Sequence, residues 1–351
     1  FLRRPGMGRP VPGIPVWFEN LLPEKGSELR RRLCAAHGLR ENQSFQLLAR
    51  LGDDLLGAVR VRSEDADAAL AGESSESSSG EPEQLGLDLS KGRGPWMSAL
   101  TGMQLKFSMS MVDHRMVLPA EGQGGAWILK LAGRDFPGLA EVEHATMRWA
   151  ARAGFEVPEH RVLPLEELRG LPLEPGEHDP SAFAIRRFDR RDDGTRIHQE
   201  DLCQALDLEP GNKYGHFPQR VGFDGALAFV TDVCGEPSGR EMARRMGFCI
   251  AAGNGDAHLK NWSLSWGERT RPVLTPCYDF VSTIAWRQQL GWGSSSGPTL
   301  ALRIGRVARF AELGREALER LDQRSRLRWA SEEIVAGAKL ALSTWSEIEP
   351  D

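Results

Sequence analysis

Between an apolar helical pattern ending near Ala252 and a strand-like stretch beginning near Trp262 lies Gly253-Asn254-Gly255-Asp256-Ala257-His258-Leu259-Lys260-Asn261, a polar, glycine-bearing loop that core packing does not explain. Its carboxylate, ammonium and carboxamide are the groups that act on a phosphoryl centre. Asp256 can position or deprotonate an attacking hydroxyl, Lys260 can stand beside the transferred phosphate, and Asn261 can ligate Mg2+. A second carboxylate completes a metal site, and Asp279 follows in Pro276-Cys277-Tyr278-Asp279-Phe280. Two short strand-like pieces, Ser263 to Trp266 and Pro272 to Leu274, flank the polar turn Gly267-Glu268-Arg269-Thr270-Arg271, and the resulting hairpin returns Asp279 to Asn261. His258 reads as a support for the loop rather than as its base.

Asp256 and Asn261 stand five positions apart, the protein-kinase spacing of a catalytic Asp, four residues and a metal-binding Asn. Singly, such residues cap backbone and start turns; their conjunction with the hairpin favours chemistry. Phosphoryl transfer from a nucleotide also needs a cation on the phosphates, and Trp127-Ile128-Leu129-Lys130 is an apolar strand ending in one. A helical pattern from Ala140 to Ala153 offers Glu141 and Glu143 as counter-ions for Lys130. First-turn acids also complement a helix dipole, so the residues alone do not choose between the two. Upstream, Leu100-Thr101-Gly102-Met103-Gln104-Leu105-Lys106 precedes a strand and can cover phosphates with backbone N–H groups, Lys106 adding charge. It matches neither the Walker pattern nor Gly-x-Gly-x-x-Gly, so a plain turn is its other reading.

The elements that must position these groups fall into blocks. Residues 1–62 form a small module with helical patterning around Leu29 to Leu33, the apolar Phe45 to Leu48 and a short strand at Leu56 to Val59, and 63–95 is a Ser/Glu-rich flexible linker. Residues 96–188 are strand-rich (Phe107 to Met111, Ala126 to Leu131, Ala182 to Phe188) around one helix. Residues 189–351 are mainly helical, over Gln199 to Leu206, Phe223 to Cys234, Arg240 to Ala252 and Ile304 to Leu342. The expected fold is α+β and bilobal, protein-kinase-like, with a strand-rich N-lobe, a helix-rich C-lobe and the nucleotide cleft between them.

At 351 residues and 40% hydrophobic content the chain can bury a sizeable core, and a net charge of −5 argues against a general polyanion binder. The five cysteines (Cys34, Cys203, Cys234, Cys249, Cys277) are scattered without a Cys-x-x-Cys pair, which fits reduced thiols and a cytoplasmic location. No run of eighteen apolar residues is present, so no membrane partner is expected.

Several of these stretches, in this order, resemble the HipA-type serine/threonine kinases, toxins of bacterial toxin–antitoxin modules. They are Phe18-Glu19-Asn20-Leu21-Leu22-Pro23-Glu24, the Thr101 to Lys106 loop, Ile128-Leu129-Lys130, Arg187-Phe188-Asp189-Arg190, Gln199 to Gln204 with Lys213-Tyr214, Gly255 to Asn261, and Leu274-Thr275-Pro276 with Tyr278-Asp279. The resemblance implies ATP and Mg2+ as cofactors. It puts Lys130 on the phosphates and selects Glu143 as the residue facing it. It makes 186–189 an adenine-holding hinge, with Arg187 and Phe188 in it and Asp189 near the ribose. Asp256 becomes the base, Lys260 a phosphate contact, and Asn261 and Asp279 the metal ligands. It further implies a protein substrate, with an aminoacyl-tRNA synthetase suggested, and a helix-turn-helix antitoxin through which DNA is reached only indirectly. Seventeen residues precede Phe18, which resembles the shortened toxins whose N-terminal subdomain is a separate small protein. The position of the family's regulatory serine holds Ala99, leaving Ser98 and Thr101 as candidate autophosphorylation sites.

Two other readings share these motifs. A small-molecule kinase would have the same lobes, base and metal ligands, but usually orders its loop His-x-Asp, whereas here Asp256 precedes His258. A catalytically silent nucleotide-binding protein would keep the shape without the chemistry.

Overall fold

The computed structural model describes residues 13–62, 105–112, 115–119, 124–168, 178–216, 220–267, 269–292 and 297–348. Its first helices are α1 (Val16–Glu19), α2 (Glu28–Ala36) and α3 (Ser44–Leu51). Five antiparallel strands follow, β1 (Leu105–Val112), β2 (Arg115–Val117), β3 (Trp127–Gly133), β4 (His160–Pro164) and β5 (His178–Arg186), in the spatial order β2-β1-β3-β5-β4. Helix α4 (Leu139–Arg152) connects β3 to β4.

Side chains alternate across a strand, and here both faces are covered. Leu105, Phe107 and Met109 of β1, Trp127, Leu129 and Leu131 of β3, and Ala182 and Ala184 of β5 form one core with Leu21, Leu22, Leu29, Leu33, Leu47 and Leu48 of the N-terminal segment. The intervening Phe183 and Ile185 face the other way, into a second core with Ala140, Met147 and Ala150 of α4 and the helices beyond. Lys106 on β1 and Lys130 on β3 lie on that second face, directly opposite each other in the strand register.

The remaining chain holds β6 (Gln199–Asp201), α5 (Leu202–Ala205), α6 (Phe223–Cys234), α7 (Glu236–Ala251), the hairpin β7 (Ser263–Ser265) and β8 (Val273–Leu274), the hairpin β9 (Thr299–Ile304) and β10 (Val307–Arg309), α8 (Arg315–Ser325) and α9 (Ala330–Thr344). Helices α7 and α9 cross at reciprocal glycines. A Cβ on Gly247 would lie 2.0 Å from the Ile334 carbonyl, and one on Gly337 would lie 1.9 Å from the Arg244 carbonyl, so neither position admits a larger residue without separating the helices. This holds α7, whose end launches the polar loop.

Three expected elements differ. Gln199 to Leu206 is not one helix: its first three residues pair with β7, and Asp201 and Gln204 then form a capping box for α5. Ile304 to Leu342 is helical only from Arg315, because Leu300, Leu302 and Ile304 are buried at period two in β9. Leu56 to Val59 is a turn, with Gly57 at φ +73° and its N–H donating to Asp189. The expected linker, 63–95, lies outside the described residues. All five cysteines are free and buried. No helix among the described residues is long and apolar enough to cross a membrane.

Candidate active site

The polar loop leaves α7 through Gly253, at φ +65° with Ile284 2.7 Å from where a Cβ would stand. Thr283 ties it down, its Oγ1 accepting from the Gly255 N–H at 2.8 Å and donating to the Gly253 carbonyl at 3.1 Å. Asn254 Oδ1 accepts from the Asp256 N–H at 2.9 Å. The Asp256 carbonyl accepts from the His258 N–H at 2.7 Å and from Asn261 Nδ2 at 2.9 Å. With Nδ2 so engaged, Oδ1 is the amide atom of Asn261 suited to a cation. The Asp256 carboxylate is half exposed, and its Oδ1 accepts from the Tyr214 hydroxyl at 2.8 Å.

His258 lies behind this carboxylate, Nε2 to Asp256 Oδ1 being 4.0 Å, and its ring meets Tyr214 edge-on at 5.2 Å. Burial pushes its imidazole toward the neutral form, outweighing the pull of Asp256. Among the described residues its buried Nδ1 has no partner.

Across the β7–β8 hairpin, Tyr278 closes the distance back to the loop. Its hydroxyl donates to the Lys260 carbonyl at 2.9 Å and accepts from Ser263 Oγ at 2.5 Å. Residues adjoining Asn261 and Asp279 are thereby hydrogen-bonded to each other. Asp279 itself sits at φ +55°, a left-handed conformation uncommon outside glycine and better tolerated by Asp and Asn than by most residues.

The Asp279 carboxylate meets the sheet. Lys130 donates to Asp279 and to Glu143, which is 1% exposed on α4, and Lys106 Nζ stands 3.8 Å from Asp279 Oδ2. Like charges directly opposite across strands repel, so this lysine pair needs the two carboxylates. Burial opposes ionising Asp279, but Lys106 and Lys130 outweigh it and hold the carboxyl well below the usual range. Burial also disfavours the Lys130 ammonium, and Asp279 and Glu143 reverse that, raising its pKa. Burial, aided by Lys130, pushes Lys106 down despite Asp279. Glu143, not Glu141, is the acid on the lysine.

Other expected site residues are placed elsewhere. Lys260 Nζ donates to the Asn20 carbonyl at 3.0 Å, Asn20 Oδ1 at 3.0 Å and Asp201 Oδ2 at 2.6 Å. An ammonium has three N–H donors, so none remains for a phosphate, and the expected phosphate contact is corrected to an internal one. Arg187 and Asp189, each 2% exposed, are likewise taken up internally. Arg187 pairs with Asp189 and with Asp54 at 2.9 Å, and Asp189 also accepts from Arg190 at 2.8 Å and the Gly57 N–H at 2.7 Å. Their side chains fasten the segment after β5 to the N-terminal module. Phe188 is half-buried, 5.6 Å from the Tyr278 ring. Ser98, Thr101 and Gly102 lie outside the described residues.

Neither residue type nor spacing gives Tyr214, Asn20, Asp201 or Asp54 a role in the sequence, although Lys213-Tyr214 is among the family-like stretches. Lys213-Tyr214 stands 42 residues from Asp256 and no spacing joins them.

The donor set suits a nucleotide with its metal. Asn261 Oδ1 and the ionised Asp279 are hard oxygen ligands of the type Mg2+ prefers, and the lysine pair suits phosphates.

The HipA-like C-terminal domain matches residues 98–345 and the HipA N-terminal domain matches 8–62. A Sinorhizobium fredii protein named "Putative kinase Y4dM" is 35% identical over 327 residues, covering 92% of this chain and 73% of its own length. A second from that organism, Y4mE, named likewise, is 31% identical over 315 residues, 85% of this chain and 69% of its own. Among solved structures, HipA of Shewanella oneidensis, determined as a toxin–antitoxin complex with HipB and operator DNA, is similar in fold. Its TM-score is 0.66 at 21% identity, over 96% of this chain and 79% of that one. With its N- and C-terminal segments both matched and its sheet, loop and helices arranged as described, the chain belongs to the HipA-like kinase family.

Proposed function

We propose that this chain is an ATP-dependent serine/threonine protein kinase that arrests growth as the toxin of a toxin–antitoxin pair. The observation that carries the catalytic part is the facing of two groups: the cross-strand Lys106 and Lys130 on Asp279, and the Asp256–Asn261 loop tied to Asp279 through Tyr278. Lys130 and Lys106 bind the nucleotide phosphates, Glu143 retaining Lys130. Asn261 and Asp279 would hold magnesium, which when bound would neutralise phosphate charge. Asp256 orients the acceptor hydroxyl and takes its proton as the oxygen bonds to the γ-phosphorus and the bond to the β-phosphate oxygen breaks, releasing ADP.

An antitoxin partner is supported by the complex of the Shewanella protein of similar fold with HipB and operator DNA, and its helix-turn-helix class extends the family resemblance. A protein substrate, with an aminoacyl-tRNA synthetase as the first to examine, and self-phosphorylation at Ser98 or Thr101 extend the same reading. Radiolabelled γ-ATP supplied to the protein with and without Asp256→Asn tests the chemistry. Labelling by the wild type alone is expected, and equal labelling by both removes Asp256 as the base. Phosphoproteomics after brief induction tests the target: growth arrest with no new phosphoserine or phosphothreonine overturns the toxin mechanism.

A further inference from the structure

Asn20 to Glu24 lies on the connection between α1 and α2, far before the polar loop in sequence, yet Asn20 bonds Lys260 of that loop directly and Glu24 reaches it through Lys213. Asn20, 1% exposed, supplies two of the three acceptors of Lys260, and its Nδ2 donates to the Leu208 carbonyl at 2.8 Å. Lys260 adjoins Asn261, and its carbonyl receives the Tyr278 hydroxyl beside Asp279. Glu24 Oε1 accepts from Lys213 Nζ at 2.8 Å. The Lys213 carbonyl in turn accepts from the Leu259 N–H at 2.9 Å, and the next residue, Tyr214, donates to Asp256.

The segment is itself held. Arg30 of α2, 0% exposed, donates to Glu19 Oε1 at 2.9 Å, the Pro23 carbonyl at 2.8 Å, Ser44 Oγ at 2.7 Å and the Glu41 carbonyl at 2.7 Å. These bonds fix the chain on both sides of Asn20 to Leu22.

We infer that Asn20 and Glu24 are positioning residues, through which the N-terminal segment sets the Asp256 carboxylate by way of Lys213-Tyr214 and the Asn261–Asp279 pair by way of Lys260. Neither touches a reacting atom. The inference rests on the reading of Asp256 as base, and it makes the N-terminal segment part of the catalytic apparatus rather than a module appended to it. A lysine pinned by three acceptors fixes its own backbone, and a carboxylate displaced by about 1 Å loses on the order of 10²-fold in rate.

The test measures single-turnover phosphate incorporation from γ-labelled ATP into the full chain and into casein, together with ATP affinity and thermal midpoint. The proteins are wild type, Asn20→Ala, Glu24→Lys, Lys213→Glu and the Glu24→Lys/Lys213→Glu double variant. The expected result is a rate at saturating ATP reduced by roughly 10- to 100-fold in the single variants, ATP affinity within about threefold of wild type, and recovery in the double variant. Should Asn20→Ala fail to fold, the partly exposed Glu24–Lys213 exchange decides alone. Unchanged rates in correctly folded single variants overturn the inference, as does a loss that tracks the thermal midpoint and is not recovered by the exchange. A wild type that binds ATP but labels nothing overturns the kinase reading itself, and this inference with it.

Discussion

Asp189 and Asp279 are both carboxylates among buried cations, but their surroundings differ. Asp189 accepts four hydrogen bonds of 2.7–2.9 Å, from Arg187 Nε and Nη2, Arg190 Nη1 and the Gly57 N–H, and three of these donors belong to planar guanidinium forks whose geometry admits little else. Asp279 faces two lysines, one bonded and one 3.8 Å away, on flexible stems that can redirect to an arriving phosphate. The first cluster joins the N-terminal module to the strand after it in space; the second can exchange partners. Guanidinium forks closed on a carboxylate suit architecture, and ammonium groups that can turn from a carboxylate to a phosphate suit a binding site.

This contrast is open to direct attack. Asp279→Asn keeps the backbone conformation and removes the charge, so phosphate transfer is expected to fall by roughly 10³-fold, the rate equivalent of a metal clamp worth several kcal/mol. A lower thermal midpoint should accompany it, because Lys106 and Lys130 lose one of their two carboxylates, so the rate is read on the folded fraction; activity retained within tenfold removes Asp279 as a metal ligand. Asp189→Ala leaves two buried guanidinium groups with Asp54 as their one shared carboxylate and is expected to destabilise the fold by about 3–5 kcal/mol in urea titrations, with ATP affinity of the folded fraction preserved. A stable variant that no longer binds ATP would invert the comparison and return Asp189 to the nucleotide site.

A smaller effect is expected at Tyr214. Its hydrogen bond to the Asp256 carboxylate is of the kind worth about 1.5 kcal/mol, so Tyr214→Phe should slow transfer about tenfold at unchanged ATP affinity. A rate equal to wild type would leave the phenol a packing residue. Smallest is the pH dependence. Burial disfavours the Asp189 carboxylate, and Arg187 and Arg190 outweigh this, lowering its pKa. Its stabilising contribution is therefore complete above the unfolded value of about 3.9 and is lost as pH falls through the folded value. Urea titrations from pH 7 to pH 3 should show wild type losing more stability below about pH 4 than Asp189→Asn does. Parallel curves would detach acid sensitivity from this cluster.

Local signals were legible in the sequence. The loop from Gly253 to Asn261, the β7–β8 hairpin and α6 follow from glycine placement and periodicity, which act over a few residues. The alternation of Leu300, Leu302 and Ile304 is also present, but the expected helical pattern starts on its last member, Ile304, and leaves the strand unread. What could not be read was pairing at long range. The Lys106–Lys130 register depends on how β1 and β3 align, and the Arg187–Asp54 bond joins positions 133 apart. Lys260 shows the cost of reading residue type without partners: its charge and place fit a phosphate, but its three donors are occupied.

The left-handed backbone at Asp279 carries a consequence for sequence variation at that position. A library of all twenty residues there, sorted first for soluble expression and then for phosphate transfer, meets two unlike filters. The backbone filter passes Gly, Asn and Asp and excludes β-branched side chains. Under the proposed metal role the chemical filter passes a carboxylate on a short stem, which leaves one residue common to both, so drift at this site has no neighbouring step that keeps the fold and the proposed reaction together.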